Sequence, residues 1–142
     1  MDRQDEALKL LKEIKTIMYA IENLQTQIDE IYAILESKGA SPKEVNVQTS
    51  KVPDPMAEQI IKALEYQTKL QNYQLMLIEK KNTALEVVKQ MDIEMQQLLL
   101  LRYFQGYSIE QCATKIGYTS RWTWEKLHQA EEMFINIYAM NK

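Results

Sequence analysis

Cysteine and histidine are almost absent: the 142 residues hold one of each, Cys112 and His128. A lone cysteine excludes a disulfide framework, and one of each excludes a Cys/His zinc cluster within a single copy. Glycine and proline are scarce too, at three each. That leaves long uninterrupted helices as the natural outcome for a chain rich in Gln, Glu, Lys, Leu and Met. No apolar run approaches the ~20 residues needed to cross a bilayer, and no basic start leads into an apolar leader, so no membrane partner is expected. Charge of one sign is also lacking. The net charge is −3, and residues 92–142 carry five Lys or Arg against six Asp or Glu, so a strongly basic nucleic-acid footprint is missing. There is no Gly-rich phosphate loop, no nucleophile with a plausible base and no metal-ligand spacing. Neither an enzyme nor a cofactor or metal site is expected.

What the chain does have is periodicity. Leu10, Ile14, Ile17, Ile21, Leu24, Ile28, Ile31 and Leu35 recur at alternating spacings of four and three. This is an apolar heptad seam on one long helix. The helix ends near Ser37, and a connector over 38–55 carries all three prolines. Asp54 and Pro55 suit the start of a second long helix, an acceptor at the cap and proline in the first turn. Its weaker seam runs through Ala63, Tyr66, Leu70, Tyr73, Leu77, Ala84, Val87 and Met91, with Lys80 interrupting it. Lys80 and Lys81 read as a solvated pair. Two helices of similar length fold back naturally as an antiparallel hairpin, coiled-coil-like in pattern. One hairpin leaves much of the stripe and the Met76, Ile78 side open to water, which assigns the eight seam residues to oligomerisation. A homodimer or higher homo-oligomer follows.

The C-terminal third carries different signals. Leu98 to Phe104 reads as a short apolar helix, and Gly106 as a tight turn. Ser108 and Gln111 form a capping box for a helix whose inner face is Ile109, Cys112 and Ile116. Cys112 is therefore read as core. Gly117 ends that helix as a residue tolerant of left-handed backbone. A second helix runs from Thr119 or Ser120 to about Tyr138. Trp124, Leu127, Ala130, Phe134 and Ile137 are its expected core face, and Trp122 is expected in solvent. The fold class is thus all-α: a hairpin and oligomerisation region over 1–91, including the 38–55 connector, then a helix-turn-helix DNA-binding domain over 92–142. Two short helices joined this way form a reader of the major groove. The outward set is Ser120, Arg121, Trp122, Glu125, Lys126 and Gln129, with Lys115 on the preceding helix. Arg121 suits a bidentate contact to guanine, and Lys126 and Lys115 suit phosphate anchoring.

The pattern L-R-Y-x-x-G-x-S-x-x-x-x-A-x-x-I-G, Leu101 to Gly117 here, resembles the DNA-binding end of bacterial sigma factors. Taken with Val47-Gln48-Thr49-Ser50, the helix after it and the stretch Tyr118 to His128, the chain is similar to a phage-encoded family from Gram-positive prophages and mobile elements. That family is akin to the ArpU and RinA type late transcriptional regulators. The likeness covers roughly Val45 to Phe134. It departs from the family pattern in its spacing from Gly117 to His128, one residue longer, and in the bulk of Trp122, Thr123 and Trp124. The resemblance implies a phage or prophage transcription regulator in the cytoplasm of a bacterial host. Its partners would be double-stranded promoter DNA and, given the near-neutral charge, RNA polymerase. Two other readings stay open. One is a packaging protein of the small-terminase kind, which usually carries its DNA module at the N-terminus. The other is an interaction protein whose sigma-like module binds RNA polymerase or a sigma factor.

Overall fold

A computed structural model of the protein describes residues 2–37 and 54–141. Among those residues there is no strand, and five α-helices account for most of them: α1 (Arg3–Ser37), α2 (Pro55–Val88), α3 (Ile93–Leu99), α4 (Ile109–Ile116) and α5 (Ser120–Met140). No helix is long and apolar enough to cross a membrane among the described residues. The connector expected over 38–55 lies outside them, except for its last two residues. There the Asp54 carboxylate accepts from the Met56 N–H at 3.0 Å and Pro55 is the first helical residue, as the sequence suggests for a helix start.

The chain packs as two compact units, and α1 and α2 contribute to both. One unit is Met1–Met18 with Met76–Lys142; the other is Tyr19–Leu75. This division differs from a boundary at residue 91. The physical reason is the core of the first unit. Ala7, Leu10, Leu11 and Ile14 of α1 share one buried cluster with Ala84, Val87 and Val88 of α2, Leu98 and Leu99 of α3, and Leu127, Ala130 and Phe134 of α5. The start of α1 is also pinned to the end of α5. The Arg3 guanidinium lies 5.0 Å from the Tyr138 ring centre and donates to the carbonyls of Tyr138 (3.1 Å) and Asn141. A cation there also suits the negative end of the α5 dipole. The second unit has its own small core of Ile31, Leu35, Ile60 and Ala63, with Tyr32 and Tyr66 against it. Gln67 Nε2 donates to the Tyr32 hydroxyl at 2.9 Å.

The α1 seam is covered within the chain itself. Leu10, Ile14, Ile17, Ile28, Ile31 and Leu35 are all buried, and Ile21 and Leu24 are half-buried. The sequence-based premise that one copy leaves much of this stripe open to water is therefore corrected, whereas the Met76 and Ile78 side is exposed as expected. An apolar residue already removed from water has no second surface to give to a partner. The interruption at Lys80 has a structural use as well. Lys80 is not a solvated residue: its ammonium meets Glu13 Oε2 at 2.7 Å with both side chains about one-third exposed. Lys81 stands over the Phe104 ring at 5.5 Å.

Between α3 and α4 the helix widens. Leu100–Phe104 forms one π-helical stretch, closed by the Gln105 N–H on the Leu100 carbonyl at 3.0 Å. Such a turn holds an extra residue and is often found where a helix must redirect a side chain. Here it carries Tyr103 inward, 8% exposed, and leaves Arg102 Nη1 donating to the Tyr107 carbonyl at 2.9 Å. Gly106, at φ +74°, then turns the chain toward α4.

Candidate functional site

Local chemistry fixes both ends of α4. The Ser108 hydroxyl accepts from the Gln111 N–H (3.1 Å), and the Gln111 side chain accepts from the Ser108 N–H (2.9 Å), a complete capping box. Gly117 closes the helix at φ +79°, and both its N–H and that of Tyr118 reach the Ala113 carbonyl. A left-handed residue at this place is cheap only for glycine. Thr119 starts α5, its hydroxyl accepting from the Trp122 N–H at 3.1 Å. Two helices are thus joined by residues 117–119 alone.

The register of α5 differs from the sequence-based expectation. Thr123 is fully buried and heads a stripe with Leu127, Ala130 and Phe134, at spacings of four, three and four. Trp124, expected in the core, is 51% exposed, and Trp122, expected in solvent, is half-buried. Ile137 is also half-buried against the same cluster. Threonine wins the inner position because its one polar atom is satisfied locally: Oγ1 donates to the Thr119 carbonyl at 2.8 Å. What remains of the side chain is a compact, β-branched apolar surface. It suits close packing of α5 on α4, where Cys112 and Ala113 are buried. Trp122 turns to the flank and stacks on Tyr118, with ring centres 3.9 Å apart and planes 18° apart.

Opposite the buried stripe, Arg121, Trp124, Glu125 and His128 fall at i, i+3, i+4 and i+7 and share the outward face. Arg121 Nε meets Glu125 Oε1 at 3.6 Å, with the arginine side chain 91% exposed. The Trp124 and His128 rings meet edge-on, 4.1 Å apart and at 79°. His128 Nδ1 lies 3.5 Å from Glu131 Oε2, and Glu131 Oε1 accepts from the Tyr103 hydroxyl at 2.8 Å. Burial, then that bond to Glu131, pushes the Tyr103 phenol well above its usual range. Burial also pushes the Cys112 thiol up, against a smaller opposing effect of Arg102, so it remains a thiol at neutral pH.

Of the residues expected to face a ligand, the structure gathers most on α5. Ser120 and Gln129 are exposed at the edges of the outward face, and Arg121 and Glu125 sit at its centre. Trp122 and Lys126 form a separate flank, with the Lys126 ammonium 5.6 Å from the Trp122 ring centre. Lys115 on α4 stands over the Tyr107 ring at 5.4 Å and lines a shallow cleft of about 630 Å³ with Gln105, Ile116 and Tyr118. Sequence reasoning left Trp124 and His128 out of the outward set. The signal that would have found them is the Thr119-to-Thr123 spacing of four, which places a self-satisfying threonine in line with Leu127. Among the described residues no three His, Cys, Asp or Glu side chains gather as a metal would require. No family model matches this chain, and no curated protein or solved structure matches it either.

Proposed function

We propose that the chain is a transcription regulator of the phage or prophage kind, binding double-stranded promoter DNA through α4 and α5 as a sigma-like helix-turn-helix. The observation that carries this reading is the exposed face on the first turns of α5, headed by Arg121. It follows a three-residue turn whose Gly117 is left-handed. That is the part of such a module that enters the major groove. The turns are capped at both helix starts, so the presenting helix is held in place. Lys126 and Lys115, each resting on an aromatic ring, supply cations for phosphates beside the groove.

Arg121 is paired with Glu125 in the free protein, and the C-terminal third is near-neutral. One copy therefore binds DNA weakly, and a second copy or RNA polymerase completes the assembly. That same pairing, with the exposed Trp124, favours one other reading: a module that docks on RNA polymerase or a sigma factor and barely touches DNA.

The test is binding of the purified full chain to fragments of its own element's genome at low and moderate salt. Arg121→Ala should relax discrimination at one base pair by about 1–3 kcal/mol. Lys126→Ala should weaken all sequences alike and flatten the salt dependence. A stable complex with RNA polymerase, without salt-sensitive sequence-selective DNA binding, would establish the interaction-protein reading instead.

A further inference from the structure

We propose that Trp124 is a base-reading residue, its indole covering the C5-methyl group of a thymine in the major groove; this rests on the DNA reading above. Trp124 has no structural task that explains its place. It stands on the side of α5 away from Thr123, Leu127, Ala130 and Phe134, and half of it is in water. It is also held still, because the His128 ring abuts it edge-on at 4.1 Å. A rigid exposed aromatic loses little freedom when it binds, which makes it an efficient contact.

The neighbours say which occupant fits. One turn before Trp124 is Arg121, 91% exposed, and before that come the free N–H groups at the start of α5, whose dipole favours an anion. Glu125, the only acid among the first turns of α5, is already matched by Arg121 at 3.6 Å. An apolar plate next to a cation and a positive helix end suits a polyanion that presents apolar groups at its base edges. In the major groove that group is the thymine methyl, and apolar side chains read it by contact. Trp122 cannot share the task, since its face is covered by Tyr118 at 3.9 Å.

The experiment uses the full chain and a duplex selected from a random pool by the wild-type protein. Each thymine is replaced singly by deoxyuracil, which removes the methyl and nothing else. Wild-type affinity should drop about fourfold at a thymine of the selected site, the equivalent of one buried methyl group. Trp124→Ala should bind more weakly and show no penalty at that thymine. Trp124→Phe, still able to cover a methyl, should keep part of it, and Trp122→Ala should keep all of it. A penalty that persists in Trp124→Ala, or no thymine that matters to the wild type, overturns the assignment while leaving DNA binding intact. Trp124→Ala with wild-type DNA binding but no capture by RNA polymerase overturns it in favour of a protein contact. Failure to select any sequence overturns this inference and the DNA reading together.

Discussion

The register of α5 decides which side chains face outward, and a pair of aspartate substitutions tests it. Thr123 is fully buried, whereas Trp124 is 51% exposed. Thr123→Asp places a carboxylate at a fully buried position, in line with Leu127 and Ala130. An uncompensated buried charge costs about 3–5 kcal/mol; its favourable position near the start of α5 offsets at most ~1 kcal/mol. Trp124→Asp leaves its charge in water and loses one edge-on ring contact, worth about 0.5–1.5 kcal/mol. For a chain of this size each kcal/mol moves the midpoint by roughly 2–4 °C. Thr123→Asp should therefore melt roughly 4–20 °C below wild type, and Trp124→Asp about 1–6 °C below. Thermal unfolding followed by far-UV circular dichroism reads both. The pH dependence adds a second check. Burial raises the folded-state pKa of the carboxyl introduced by Thr123→Asp, so its cost is full above that value and fades as falling pH protonates it. The Thr123→Asp deficit should shrink between pH 7 and 5, and the Trp124→Asp deficit should not. If Trp124→Asp proves the costlier of the two, the tryptophan is inside and the outward face described above is wrong.

Two further outcomes test the rest of the fold. Ile14 is fully buried within one copy, so Ile14→Ala should cost about 2–5 kcal/mol with no change in mass by light scattering; a lower oligomer of unchanged stability would return the α1 seam to an intersubunit role. The hydrogen bond from Lys80 holds the Glu13 carboxyl below its ordinary value of 4.5. Because the folded pKa is depressed, the contribution is present at neutral pH and is lost as pH falls through 4.5 and below. Lys80→Met should lower stability by about 0.5–1 kcal/mol at pH 7, a modest figure for a partly exposed pair, and less at pH 3, as read by urea midpoints; equal losses at both pH values would contradict the pairing.

The amino-acid sequence by itself determined the helical class, the end of α1, the boundaries of α4 and α5, and the caps. These depend on interactions within a few residues: the Ser108–Gln111 box, the Asp54–Pro55 start, the left-handed Gly117. Three members of the α5 stripe, Leu127, Ala130 and Phe134, were legible for the same reason, because helical spacing alone places them together. Tertiary structure decided what spacing left open. An indole and a threonine one position apart both satisfy the periodicity well enough. The narrow approach of α5 to α4, together with a carbonyl ready to accept the Thr123 hydroxyl, selects the smaller side chain. The partner of the α1 seam was likewise undetermined, since a heptad stripe is covered equally well by a second copy or by distant parts of its own chain. Six of its eight residues are buried within one copy, and in the first unit α2, α3 and α5 supply the cover. Those three elements reach it from far along the chain, a separation that no local pattern encodes.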